Sequence, residues 1–107
     1  MFKLKDIKAN KGITLNKDGY PMQFNKGYQV SQKDLEIIPA YRLTKKHLIE
    51  ILNKLPKGVC LGVWIDDGKA YIDQSVRYMH KTTALKLGKA FNQISIWDWQ
   101  NSKAIPC

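Results

Sequence analysis

The sequence predicts an α+β fold: a small, mainly antiparallel sheet with two helices packed on one face, in the order β-β-α-β-β-α-β. Three observations predict it. Two segments have apolar residues at helical spacing, an alternating hairpin pattern lies between them, and glycine and proline interrupt the N-terminal part. The length of 107 residues is typical of one domain, which we expect to span 1–107.

The first two strands are expected within residues 1–40. Short strands are predicted at Gly12–Leu15 and Gly27–Ser31, because each begins with a glycine and then contains β-favouring residues. Residues 17–21 contain Asp-Gly and Tyr-Pro and are typical of a turn. The predicted order therefore begins with two strands.

The first helix is predicted after Leu43. Thr44 is a suitable N-cap, because its hydroxyl can accept a hydrogen bond from a free amide of the first turn. Apolar residues then recur at i, i+3, i+4 and i+7, namely Leu48, Ile51, Leu52 and Leu55. Pro56 and Gly58 end the helix, which we place at 44–55.

A hairpin follows the first helix. Val59, Leu61, Val63 and Ile65 alternate with other residues, as in a half-buried strand. Asp67-Gly68 suits the two positive-φ positions of a type I′ turn. That two-residue turn sets the predicted pairs: Asp66 with Lys69, Ile65 with Ala70, Trp64 with Tyr71 and Val63 with Ile72.

A second helix and a last strand complete the predicted order. The helix is expected to start from Thr82 or Thr83 as N-cap and to close near Asn92, and the strand spans 93–99. The inner face of the helix is formed by Ala84, Leu87, Gly88 and Phe91. The helices are expected to cover Val63, Ile65, Ile72, Ile94 and Ile96. Trp64, Tyr71, Trp97 and Trp99 then share the opposite sheet face.

The charge of the chain is strongly positive. Eighteen Lys and Arg against nine Asp and Glu give +9, and residues 1–57 hold twelve of the basic and five of the acidic groups. Such a field attracts nucleic acid, an anionic membrane or an acidic protein face, and it argues against an acidic DNA mimic. Sixteen of the eighteen are lysine, which favours contact with phosphates over the reading of bases by arginine.

The sequence has no apolar run of membrane-spanning length and no leader-like N-terminal segment. Its two cysteines are too few for a disulfide framework. We therefore expect a reduced, intracellular setting and no membrane partner.

Two sets of residues are candidates for partner binding. Lys45, Lys46 and Lys54, with Lys57 beyond, form a basic helix face that is either simply solvated or part of a polyanion-binding surface. Trp64, Tyr71, Trp97 and Trp99 could stack on nucleobases or anchor a protein partner. The alternative is that residues 1–40 fold over the aromatic rings and cover them.

Metal and catalytic chemistry are less well indicated. His47, Cys60, His80 and Cys107 equal the ligand count of a zinc site, but they lack its short ligand spacings. Asp66, Asp67 and Asp73 near the hairpin are explained by turn chemistry and by Lys69. No phosphate-binding loop or nucleophile motif is present, so we expect no enzyme, no catalytic residue and no cofactor, with zinc as a minor alternative.

Two segments resemble small accessory proteins of bacteriophages and other mobile elements: residues 62–73 (GVWIDDGKAYID) and residues 92–98 (NQISIWD), with a helix between them. The resemblance covers about 58–105. Proteins of this class include anti-CRISPR and anti-restriction inhibitors, and the resemblance implies no particular functional residue. It implies a non-enzymatic inhibitor of a host nucleic-acid-handling defence complex, located in the cytoplasm of a bacterial host, with a host protein or ribonucleoprotein such as a CRISPR effector as partner. The alternative is a basic nucleic-acid-binding protein with little sequence specificity.

Overall fold

The computed structural model describes all residues from 1 to 107. The chain forms three α-helices, one short 3-10 turn and six strands. In chain order these are α1 (Leu4–Asn10), β1 (Gly12–Leu15), β2 (Tyr28–Pro39), the 3-10 turn (Ala40–Arg42), α2 (Lys45–Lys54), β3 (Cys60–Asp66), β4 (Lys69–Tyr78), α3 (Lys81–Ala90), β5 (Ser95–Asp98) and β6 (Lys103–Pro106). The α+β class and the antiparallel sheet are therefore confirmed.

The six strands form one sheet in the order β1-β3-β4-β2-β5-β6, and every pairing is antiparallel. The predicted hairpin register is confirmed, with Asp66 opposite Lys69 and Trp64 opposite Tyr71. Asp67 and Gly68 have φ of 48° and 73°, as the two-residue turn requires.

All three helices lie on one face of the sheet and form a layer, which we call the helical layer. Thr44 caps α2 as predicted, since its Oγ1 accepts a hydrogen bond from the His47 amide at 3.1 Å. The main core joins α1 and α2 to β1, β3 and β4: Phe2, Ile7, Leu15, Leu43, Leu48, Leu52, Leu55, Leu61, Val63, Ala70 and Ile72. A smaller core of Val30, Ala84 and Ile96 holds α3 against β2 and β5.

Four expectations about the elements need correction. Helix α1 and strand β6 were not expected, because each is short and carries few apolar residues; Ile7 is the one buried residue of α1. Strand β2 runs far beyond Ser31, to Pro39. Helix α3 begins at Lys81 after His80, without a side-chain cap, so neither threonine caps it.

One predicted inner-face residue is misplaced. Val63, Ile72 and Ile96 are buried as expected, and Ile65 is half-buried, but Ile94 is 91% exposed. The chain turns at Asn92, whose φ is 58°, and pairing of β5 starts only at Ser95. Ile94 therefore precedes the strand, and the alternation of inward and outward side chains along β5 does not include it.

The sheet curls strongly, with the face opposite the helices on the inside. The Trp64 and Trp97 ring centroids are 6.0 Å apart, although β4 and β2 lie between their strands. Three strand spacings of about 4.8 Å would separate these strands by roughly 14 Å in a flat sheet. Two register shifts in β2, at Ser31/Lys33 and Asp34/Glu36, are β-bulges of the kind that bend and twist a strand. We call the inside of the curl the concave face.

Helix α3 packs closely against β5. A Cβ on Gly88 would lie 3.0 Å from Ile96 Cγ2 and 2.7 Å from Cys107 Sγ. Glycine at this helical position therefore lets the backbone approach the sheet.

None of the three helices has the length and apolar character needed to cross a membrane.

Candidate binding surfaces

The predicted aromatic residues do share one sheet face, and that face is concave. Trp64, Tyr71, Trp97 and Trp99 come from β3, β4, β5 and the turn after β5. The rings of Trp97 and Trp99 meet edge to face, 6.4 Å apart. Trp64 is 39% exposed and the other three are half-buried.

Part of the N-terminal stretch covers one end of this face. Phe24 packs against Trp99 with ring centroids 5.4 Å apart, and the Arg77 guanidinium lies over the Phe24 ring at 3.9 Å. Residues 21–24 and β1 line a smaller cavity of about 430 Å³ with Trp64, Trp97 and Trp99. The coverage is thus partial, and the Trp64 end stays open.

A cavity of about 560 Å³ occupies the middle of the concave face, and we call it the central cavity. Its volume is in the range of small-molecule sites. Trp64, Tyr71 and Trp97 provide aromatic wall, and Ile37 and Ile94, two of the most exposed apolar side chains of the protein, also line it. The charged residues that line it are all acidic: Asp34, Asp73 and Glu36, whose carboxylate is turned to His47 on the helical side of the sheet.

Two of these carboxylates face each other. Asp34 on β2 and Asp73 on β4 are directly opposite in the antiparallel register. Burial, and then repulsion from Asp34, raises the pKa of Asp73 to about 7. On the other side of β4, Asp73 is opposite Gly62, where a Cβ would lie 2.5 Å from Asp73 Oδ1. The missing side chain of Gly62 makes room for this carboxyl group.

A polar network forms the next part of the concave face. Gln29 donates to Ser75 Oγ at 2.9 Å and accepts from the Trp99 indole at 3.0 Å. Burial raises the pKa of the Cys60 thiol, more than its hydrogen bond with Gln29 and the charge of Arg77 lower it. Ser31 Oγ, buried in the wall of the central cavity, has no hydrogen-bond partner. Cys60 is therefore poorly suited to act as a thiolate nucleophile, and Ser31 keeps a free donor and acceptor.

The grouping of Asp66, Asp67 and Asp73 by their closeness in sequence is corrected by the structure. Asp66 and Asp67 are exposed at the hairpin turn, whereas Asp73 lies in the central cavity. Its partner Asp34 was missed, because the strand containing it was expected to end at Ser31. Alternation along a longer strand would not have identified it either, because two register shifts in β2 place Ser31, Asp34 and Ile37 on the same face at intervals of three residues.

The predicted basic residues lie on the opposite side of the sheet. Lys45, Lys46 and Lys54 are exposed on α2, and Lys57 is exposed just beyond it. The three on α2 are part of a larger set of exposed lysines in the helical layer or at the ends of α1, the full set being Lys3, Lys5, Lys8, Lys11, Lys45, Lys46, Lys54, Lys81, Lys86 and Lys89. The same segments carry two carboxylates, Asp6 and Glu50. The lysines and the aromatic rings therefore form two surfaces, and the structure does not join them into one.

These lysines are not neutralised by neighbours. The one close contact between a basic side chain and a carboxylate is the hydrogen bond between His47 Nε2 and Glu36 Oε2 at 2.7 Å, which is an ion pair when His47 is protonated, and no lysine or arginine makes such a contact. Lys17 is the one lysine that is not fully exposed, and its ammonium group donates to the carbonyls of Leu52 and Leu55 at the end of α2. The charge of the helical layer thus faces solvent.

The four residues considered for zinc occupy different surroundings. His47 contacts Glu36, Cys60 contacts Gln29, exposed His80 precedes α3, and Cys107 lies beside Gly88. No group of three or more His, Cys, Asp or Glu side chains is placed to hold a metal ion. The structure therefore does not bring these four together.

The fold and its two surfaces define an α+β protein with a lysine-rich helical layer on the outside of a curled antiparallel sheet and an acidic aromatic cavity on the inside. No protein-family model, curated protein or solved structure matches the chain. The resemblance to phage accessory proteins therefore stays a prediction.

Proposed function

We propose that this protein acts by binding, without catalysis, and that its helical layer docks on a polyanionic surface of a host nucleic-acid-handling complex. This function belongs to the expected class of phage-type inhibitors, for which a CRISPR effector with its bound RNA is one example of a target. The single observation that supports it is the set of ten exposed, unpaired lysines on the helical layer, against two carboxylates.

The distribution of these lysines fits phosphate contact better than base recognition. They come from three helices on one face, so many can approach one backbone together, and each ammonium acts as a point charge. Arg42 and Arg77 are the two side chains able to make bidentate contacts with guanine, and Arg77 is engaged with Phe24 and the Lys26 carbonyl. Binding is therefore expected to be strong at low salt and to depend weakly on base sequence.

The test is a charge-reversal pair. In one variant, Lys45, Lys46 and Lys54 on α2 become Glu; in the control, Lys26, Lys69 and Lys103, outside the helical layer, become Glu. Both variants have the same net charge, so a difference between them reports position. We expect the α2 variant to lose at least about 100-fold in affinity for a purified effector ribonucleoprotein and to stop inhibiting its DNA cleavage, and the control to lose under about fivefold. Equal losses, or no binding by the unaltered protein, would contradict the proposal.

Direct binding of free nucleic acid is the second candidate, and the same unpaired lysines favour it. Here the logarithm of the binding constant should fall with the logarithm of the salt concentration, by about 0.9 for each duplex phosphate neutralised. Fluorescence anisotropy with a labelled duplex and single strand at several salt concentrations measures this slope. Tight binding to the bare nucleic acid, with no gain from the effector protein, would select this candidate over the inhibitor.

A further inference from the structure

The central cavity differs from the rest of the molecule in the sign of its charge. The protein carries eighteen Lys and Arg, yet none of them lines the cavity, whereas the carboxyl groups of Asp34 and Asp73 do. Glu36 pairs with His47 of α2, which leaves Asp34 and Asp73 as the carboxylates without a cationic partner. Like charges directly opposite each other in a sheet repel, and a positive group between these two carboxylates would offset the repulsion.

The walls of the cavity suit the same kind of ligand. Three aromatic rings line it, those of Trp64, Tyr71 and Trp97, and the face of such a ring attracts a cation through its negative π-surface. The half-open rim has apolar side chains, with Ile37 60% and Ile94 91% exposed. Ser31 Oγ supplies one buried polar atom without a partner. Such a site matches a positive head group on an apolar frame.

We propose that the central cavity binds a small organic cation, an ammonium group carried on an apolar frame, with the cation between Asp34 and Asp73 and the frame against Trp64 and Trp97. The cavity volume of about 560 Å³ is that of a small-molecule site, so the proposed ligand is a small-molecule amine. This site is on the opposite sheet face from the helical layer and does not depend on the polyanion binding proposed above.

The charge requirement separates this ligand from a neutral sugar, which also stacks on aromatic rings. A sugar hydroxyl would satisfy the carboxylate oxygens without relieving the repulsion between them. A cation relieves that repulsion and replaces the missing counter-charge, so its binding favours the ionised form of Asp73. Asp34 is the one charged side chain that faces Asp73 across its neighbouring strands, since Gly62 lies on the other side.

The experiment compares two probes of almost the same shape, phenethylamine and 2-phenylethanol, which differ by an ammonium in place of a hydroxyl group. All three tryptophans of the chain lie on the concave face, so quenching of intrinsic fluorescence reports binding there, and calorimetry confirms it. We expect the amine to bind at least about tenfold more tightly than the alcohol. We expect it to bind more tightly at about pH 8 than at about pH 6, with proton release.

Variants locate the site. Asp34→Asn and Asp73→Asn should each weaken amine binding by about tenfold or more, whereas Asp66→Asn, an exposed carboxylate at the hairpin turn, should leave it unchanged. The use of two cavity variants guards against a folding defect in either one, and circular dichroism checks both. Equal binding of amine and alcohol, binding of glucose in place of the amine, an equal effect of Asp66→Asn, or no binding of the amine at all would overturn the proposal.

Discussion

The two faces of the sheet differ in how far their charged side chains are exposed to water. On the helical face the sheet is covered by aliphatic side chains, and the charges stand on the outer side of the helices, where water screens them. On the concave face the curl encloses carboxylates and rings together, so Asp73 is partly withdrawn from water and its pKa rises to about 7. Exposure to water thus separates the ten lysines of the helical layer from Asp73, whose pKa is raised by burial on the concave face.

The largest expected effect is on the free energy of unfolding, when a side chain is shortened on each face in turn. Leu48→Ala on the helical face, where Leu48 is fully buried, should lower the free energy of unfolding by about 2–5 kcal/mol, since it leaves a cavity in the main core. Ile37→Ala on the concave face, 60% exposed, should lower it by no more than about 0.5 kcal/mol. Urea unfolding followed by circular dichroism measures both. Similar losses would mean that the concave face contributes as much packing as the core.

The next effect separates the faces by pH. Because the folded pKa of Asp73, about 7, lies above its usual value of 3.8, the folded protein keeps a proton that the unfolded chain releases. The resulting stabilisation is present in acid and is lost as pH rises through about 4 to 7. After allowance for the solvent that reaches this carboxyl, the loss is on the order of 2 kcal/mol.

Asp73→Asn should therefore flatten this pH dependence and be more stable than the unaltered protein at about pH 8, with little difference at about pH 4. Chemical unfolding across this pH range is the measurement. Asp66→Asn provides the control, because Asp66 is exposed at the turn. A pH profile that is the same with and without Asp73 would contradict the assignment of this carboxyl as the perturbed group.

A smaller effect tests the space that Gly62 provides. A methyl group there would lie 2.5 Å from Asp73 Oδ1, so Gly62→Ala should lower the free energy of unfolding by about 1–2 kcal/mol. In an Asp73→Ala background the same change should cost under about 0.5 kcal/mol, since the clashing carboxyl is gone. A full double-mutant cycle measures the coupling. Additive effects would show that the two positions do not share this space.

The smallest effect contrasts two acids of β2 that are two residues apart but lie on opposite faces. Glu36 meets His47, so Glu36→Gln should lower stability by about 0.2–1 kcal/mol at low salt. Asp34 meets Asp73, so Asp34→Asn should leave stability unchanged or raise it above about pH 7. Thermal unfolding at low and high salt distinguishes them. A change in stability in the same direction for both variants would contradict this distinction between the faces.

Much of the fold could be predicted from local pattern. The hairpin was predictable because a two-residue Asp-Gly turn fixes the register. Helix α2 was predictable because its cap residue and its leucines at helical spacing indicate the same helix: Thr44, Leu48, Leu52 and Leu55. The candidate site was predictable only in part. The aromatic residues were found by alternation, but Asp34 and the central cavity were not, since bulges in β2 shift the alternation twice.

The sequence by itself determined the net charge, the hairpin register, α2 and the set of aromatic residues on one face, because these depend on composition or on contacts between near neighbours. Only the tertiary structure decided that the sheet curls, that Asp34 and Asp73 meet across β2 and β4, and that lysines and rings lie on opposite faces. Short α1 and β6 also form only because the sheet and its cores hold them in place. These features depend on residues far apart in the chain, whose proximity no local period encodes.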